Sequence, residues 1–138
     1  MVTVRDIMHK TTVVEGRRNI QDVAKLMSEK NIGSVFISQD GQITGILTER
    51  DILRKVVADG MEPLQVTAKE IATHKMITID ANADVTEASR MFGENNIRRL
   101  PVTDGGKIIG IVTVRGVAKS LRYHYSRKIN PEHDEYRR

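Results

Sequence analysis

At 138 residues the chain has room for one compact module or for two small units that share a core, because half of it would bury only about 60% of its unfolded surface. The absence of cysteine excludes disulfides and thiolate metal sites, and His9, His74, His124 and His133 show no ligand spacing. A net charge of +4, from 22 basic and 18 acidic residues, permits phosphate or nucleic-acid partners without demanding them. No apolar run approaches the roughly 20 residues of a membrane span, and the start, with Arg5 and Asp6, does not read as a signal peptide. These features suit a cytoplasmic protein with no membrane partner.

The first extended piece is Thr12–Val14. Asn19 then stands three residues before Asp22 as a capping signal, and Ile20, Val23, Ala24 and Met27 fall on one helical face. Val35-Phe36-Ile37 reads as a strand that turns through Gln39-Asp40-Gly41 into a second strand, Ile43–Leu47. A second helix begins near Thr48, shows Ile52, Leu53, Val56 and Val57, and stops at Gly60. Residues 61–68, with Pro63, read as a linker. The same order then recurs: an extended piece at Ile77–Ile79, a helix capped by Asp84 with Val85, Ala88, Ser89 and Phe92 on its face, Leu100-Pro101-Val102, the turn Asp104-Gly105-Gly106, Ile108–Val112, and a helix from Thr113. Residues 123–138 read as a charged C-terminal extension with few apolar side chains.

The recurrence is a duplication. Between 31–52 and 96–117, 8 of 22 aligned positions are identical without a gap, and the register extends back to His9-Lys10 against His74-Lys75. A repeat of this length is a whole supersecondary unit used twice. The expected fold is α+β, with a β-α-β-β-α unit in residues 1–60 and again in 69–122.

Gly45-Ile-Leu-Thr-Glu-Arg-Asp51, Gly110-Ile-Val-Thr-Val-Arg-Gly116 and Ile97-Arg-Arg-Leu-Pro-Val102 resemble the motifs of a tandem pair of CBS domains, the modules named after cystathionine beta-synthase. The likeness covers residues 1 to about 122. It implies a stand-alone Bateman module, with the two repeats packed by pseudo-twofold symmetry through their small sheets. It also implies clefts for adenosine ligands, a homodimer, and a regulatory role toward another protein, as such modules play for IMP dehydrogenase, AMP-activated protein kinase and ion channels.

Thr48-Glu49-Arg50-Asp51 closes a strand and opens a helix. One reading is a capping box in which Thr48 and Asp51 satisfy each other's backbone. The other is a ligand site, in which the helix start suits phosphate and the carboxylate accepts both ribose hydroxyls. The resemblance implies a cleft that crosses the copies, combining Thr48, Arg50 and Asp51 with Met76, Ile77, Ile97, Arg98 and Arg99. There Met76 and Ile77 would sandwich adenine and the arginines would reach phosphates; core packing and surface charge are the plainer readings of the same residues. A second, weaker site would combine Thr12, Val13, Ile32, Gly33 and Ser34 with Thr113 and Arg115, weaker because Gly116 stands where Asp51 stands in the first copy. Arg54, one turn beyond Arg50, is read as an ion-pair residue or an extension of the phosphate site.

The apolar faces Ile52/Val56/Val57 and Val117/Ala118/Leu121 exceed what the cores need, a second sign of a homodimer. No set of nucleophile, base and orienting group is visible, so the chain reads as a non-enzyme without a cofactor. The function that follows is regulation or energy sensing by binding AMP, ADP or ATP, with S-adenosylmethionine as a further adenosine ligand. Two rivals stand beside it. One is a nucleic-acid-binding regulator, suggested by Arg122, Arg127, Lys128, Arg137 and Arg138 but offset by Glu132, Asp134 and Glu135. The other is a structural subunit whose clefts are vestigial.

Overall fold

A computed structural model describes residues 1–129, with side chains through residue 123. Most of the charged extension, including Arg127, Lys128, Arg137 and Arg138, therefore lies outside the described side chains. The fold is α+β, with two three-stranded sheets. Two compact units divide the chain: Thr11–Met76, here the N-repeat unit, and Met1–Lys10 with the chain from Ile77 onward, here the C-repeat unit.

In the N-repeat unit β1 (Val13–Glu15) runs parallel to β2 (Ser34–Gln39), which pairs antiparallel with β3 (Gln42–Thr48). Asp40 (φ 51°) and Gly41 (φ 79°) supply the two positive φ angles of a tight hairpin turn. Helix α2 (Ile20–Lys30) starts where the Asn19 side chain accepts from the Asp22 N–H and ends on Asn31 in the left-handed region. Its Ile20, Val23 and Met27 enter a core with Val14, Val35, Ile37 and Leu47. After β3 comes α3 (Glu49–Ile52), which passes into a single π-helical turn over Leu53–Val57.

Residues 61–68 behave differently from a linker. Pro63–Gln65 form a 3₁₀ turn, Val66 and Ala68 are buried in the N-repeat core, and the Val66 carbonyl accepts from the Ile20 N–H at 2.9 Å. Helix α4 (Ala68–Ile71) follows, and an arm closes on the sheet: Thr73 and Ile46 exchange backbone hydrogen bonds at 2.9 and 3.0 Å.

The C-repeat unit repeats the plan with its arm taken from the chain's beginning. Helix α1 (Val4–Ile7) leads to His9, which exchanges backbone bonds with Ile111, both at 2.8 Å. The sheet is β4 (Ile79–Asp80), β5 (Arg99–Asp104) and β6 (Lys107–Thr113), covered by α5 (Val85–Asn95) and α6 (Val114–Ile129). The linear boundaries 1–60 and 69–122 thus follow the sequence repeat, whereas space assigns residues 1–10 to the second sheet and 61–76 to the first. Apolar Val4 in one arm and Val66, Ala68 and Ile71 in the other make the arms integral to those cores.

The arms also revise the register read from His9 and His74. The residue that bridges to the sheet is His9 in one unit and Thr73 in the other, so the inserted residue falls after the bridge and His74 has no true counterpart in His9. At the bridge the sheet residue before each partner is Gly45 or Gly110. A Cβ there would lie 2.8 Å from the Thr73 carbonyl oxygen or 2.7 Å from that of His9. Glycine is required by this close approach, since neither has a positive φ.

β4 is shorter than β1 for a local reason. In the N-repeat unit the Phe36 N–H donates to the Thr12 carbonyl at 2.9 Å, one step before the Val14–Ile37 pair. Pro101 stands at the Phe36 position and has no N–H, so β4 begins only at Ile79, opposite Val102. Of the faces read as surplus, Val56 and Val117 are buried in their own units' cores and Ile52 packs against one of them. Val57, Ala118 and Leu121 remain exposed, together with Leu53.

Candidate functional site

The Thr48–Asp51 segment lies at the end of the N-repeat sheet opposite the hairpin turn. Strand pairing sets Ser34 beside Thr48, and the Glu49 N–H donates to the Gly33 carbonyl at 3.0 Å. Thr11 joins through its hydroxyl, which donates to the Ser34 carbonyl at 3.0 Å, and the Lys30 ammonium reaches Thr12 Oγ1 at 3.4 Å. Thr12, Val13, Ile32, Gly33, Ser34, Thr48, Arg50 and Asp51 therefore belong to one unit. Ser34 is buried, whereas Val13 and Arg50 are exposed.

The capping box is present in full. Asp51 Oδ2 accepts from the Thr48 N–H at 2.9 Å and from the Thr48 hydroxyl at 3.1 Å, while Thr48 Oγ1 accepts from the Asp51 N–H at 3.2 Å. The other oxygen, Oδ1, is 3.2 Å from the Lys55 ammonium, one helical turn on. Lys55 Nζ also donates to the carbonyl of Ile71, the last residue of α4, at 2.9 Å. The Asp51 side chain retains only 16% of its accessible surface, against 46% for Lys55. This carboxylate is a structural cap and, at Oδ1, an acceptor with room for a further donor.

The matching place in the C-repeat unit has the same backbone and different chemistry. The Val114 N–H donates to the Arg98 carbonyl at 3.0 Å, Arg99 pairs with Thr113 across the strands, and Thr113 Oγ1 accepts from the Gly116 N–H at 3.0 Å. Arg98 and Arg115 are exposed, and Arg99 is half-buried. Ile97, Arg98, Arg99, Thr113 and Arg115 thus share this unit with Ile77, while Met76 closes the N-repeat unit. Each of the two cross-copy groupings expected from the sequence draws on both units. Met76 and Ile77 belong to neither apolar core, and Ile77 is exposed.

Lys55 was not among the expected site residues; Arg54, which is exposed, was the basic residue singled out there. The signal was available, since Asp51 and Lys55 stand at i and i+4 in a helix with the acid first, the favourable order for an ion pair. A hollow of about 400 Å³ occurs at the opposite, turn end of the N-repeat hairpin, lined by Glu15, Arg17, Asp40 and Lys69 among others. Its Arg17 and Glu15 pair with each other at 2.9 Å. It is remote from the Thr48–Asp51 chemistry.

Two successive matches to the CBS domain family model cover residues 2–58 and 68–123. The chain is a tandem CBS-domain protein. It is 36% identical over 126 residues to Hypoxic response protein 1 of Mycobacterium tuberculosis, covering 90% of this chain and 88% of that one. A solved structure of Hypoxic Response Protein I with two coordinated zinc ions matches with a TM-score of 0.74 at 36% identity, over 88% of this chain and all of that one. Among the described residues here, no cluster of three His, Cys, Asp or Glu side chains could hold a metal. The CBS domain pair of protein MJ0100, solved with 5′-methylthioadenosine and S-adenosyl-L-methionine, matches with a TM-score of 0.78 at 27% identity, over 88% of this chain and 97% of that one. The chain is thus similar to regulatory CBS pairs, and no helix among its described residues is long and apolar enough to cross a membrane.

Proposed function

We propose that this CBS pair is a non-enzymatic sensor of an adenosine ligand, AMP, ADP or ATP, whose ribose is gripped by Asp51. The observation that carries the reading is the Asp51 carboxylate itself. It is largely sheltered, fixed by the Thr48 cap on one oxygen, and has spare acceptor capacity on the other. A held carboxylate accepting ribose hydroxyls needs no rearrangement of its own side chain, which keeps the entropy loss on binding small. Arg50, exposed on the first turn of α3, supplies positive charge for phosphate beside it. The MJ0100 pair lends support, since both its ligands contain an adenosine group. Regulation follows if the ligand binds one conformation of the module better than another and a partner protein or a second copy reads the difference.

The test is calorimetry with AMP, ADP, ATP and S-adenosylmethionine on the wild type and on Asp51→Ala. Losing a charge-assisted acceptor is expected to weaken AMP binding about tenfold to a hundredfold. Asp51→Asn, which keeps an acceptor for the Thr48 cap, separates loss of ligand contact from loss of the helix start. Unchanged AMP affinity in both variants refutes the assignment.

A further inference from the structure

We infer that Lys55 determines how strongly the site discriminates ribose from deoxyribose, because it occupies the acceptor position that a second sugar hydroxyl needs. The inference rests on the reading of Asp51 as the ribose acceptor. A carboxylate offers about four lone-pair positions. At Oδ2 two are taken, by the Thr48 N–H and the Thr48 hydroxyl, and at Oδ1 one is taken by Lys55. One position is left. A vicinal diol brings two hydroxyl donors and meets a single vacancy while Lys55 is seated; it meets two once the ammonium swings away.

Lys55 is held at its other end as well. Its ammonium donates to the Ile71 carbonyl, at the C-terminus of α4, where a cation is favoured by the unpaired carbonyls. Next along the chain, the Ala72 N–H donates to Ala68 and the Thr73 N–H donates to Ile46 in β3. Release of Lys55 therefore removes a tie between the helix that follows Asp51 and the arm that closes the N-repeat sheet. Lys55 arises from the π-helical turn at Leu53–Val57, a feature that recurs at functional positions. The second copy carries Ser120 at the matching place and Gly116 in place of the acid, so the anion and its cation are absent there together.

The test is the ratio of AMP to 2′-deoxy-AMP affinity, by calorimetry, in the wild type, Lys55→Met and Lys55→Arg. The ratio is insensitive to the loss of one positive charge near the phosphates, which changes both affinities alike. Lys55→Met is expected to raise the ratio about two- to fivefold, the range of a half-exposed ion pair, and Lys55→Arg to return it close to the wild-type value. Amide exchange at Ala72 and Thr73 is expected to quicken in ligand-free Lys55→Met, and AMP added to the wild type is expected to quicken the same two amides. AMP binding with an unchanged ratio in Lys55→Met overturns the role of Lys55 and leaves the Asp51 reading intact. AMP that binds neither the wild type nor Lys55→Met overturns the Asp51 reading, and this inference with it.

Discussion

The two helix starts at Thr48 and Thr113 share a backbone and differ in their chemistry. In both, the first helical N–H donates to the residue before the neighbouring strand at 3.0 Å, and a threonine hydroxyl accepts from the N–H three residues on. The N-repeat unit adds a carboxylate with its own cation, Asp51 and Lys55, beside the small residues Gly33 and Ser34. The C-repeat unit has Gly116 and Ser120 there, beside Arg98 and Arg99. One end presents a carboxylate, which accepts hydrogen bonds, and the other carries guanidinium groups, which only donate them. Duplication has preserved what the backbone needs and redistributed charge where the backbone is indifferent to it. Chemistry at these ends therefore follows from a few side chains, and the common fold says little about it.

The comparison is broken most severely at the glycines that admit the arms. Alanine at Gly45 or Gly110 would bring a Cβ within 2.8 or 2.7 Å of a backbone carbonyl oxygen that is itself held by strand pairing. Each substitution is expected to cost about 1–3 kcal/mol, the range for overpacking a rigid site. Urea unfolding of Gly45→Ala and Gly110→Ala checks this. Comparable losses mean that the arms are equivalent supports; a tolerant site on one side means that its arm yields. His74 gives the N-repeat arm an extra hold, with its ring nitrogens 3.1 and 2.8 Å from the carbonyls of Thr44 and Lys69. Gly45→Ala is accordingly expected to lie toward the upper end.

These glycines show where the sequence was legible and where it was not. The repeat, the hairpins with their glycine turns, the caps at Asn19 and Asp84 and the α+β class all follow from local patterns: side-chain period, turn chemistry and capping are properties of a few adjacent residues. The exchange of arms is non-local. Nothing in Val4 or Ile71 says which sheet it covers, and the His9/His74 identity favoured a register one residue away from the observed one. The apolar faces on the two late helices were legible only in part for the same reason: Val56 and Val117 are buried in their own units' cores, while Val57, Ala118 and Leu121 stay exposed. The short β4 could have been foreseen from Pro101, had its pairing partner been known. At the site, Thr48–Asp51 was visible as a motif, whereas Lys55 required attention to helical spacing beyond the motif's end.

A smaller effect is expected from restoring the acid in the second copy. Gly116 is helical, and an added Cβ would lie 3.3 Å from Thr113 Oγ1, the counterpart of the Thr48 Oγ1 against which Asp51 closes its box in the first copy. Gly116→Asp removes a flexible residue from the helix and places a negative charge in its first turn. The two together are expected to stabilise the protein by about 1 kcal/mol. A thermal melt reads the gain. If Asp51 holds the ribose as proposed, AMP affinity is expected to be unchanged in this variant, and a shift would mean that Gly116 also bears on AMP binding.

The finest distinction between the units is electrostatic and appears in acid. Helix α2 is capped by Asn19, an amide that carries no charge, while α5 is capped by Asp84, whose carboxylate accepts from the Thr86 N–H and hydroxyl, each at 2.8 Å. Those hydrogen bonds hold the Asp84 carboxyl below its ordinary value of 3.8. The Thr3 backbone and side chain do the same for Asp6 in the C-repeat arm. A group with a depressed folded-state value contributes stability that is fully present above its unfolded value and is lost as pH falls through the folded one. Acid below about pH 4 is therefore expected to loosen the C-repeat unit first. Amide exchange followed from pH 6 to pH 3 should show protection falling over Val85–Phe92 before it falls over Ile20–Met27. Asp84→Asn, which leaves an acceptor that does not titrate, should flatten that difference; a pH profile identical to the wild type would show that the cap contributes nothing to acid sensitivity and that the other low-lying carboxyls of the unit, Asp6 and the Arg90-bonded Glu87, carry it.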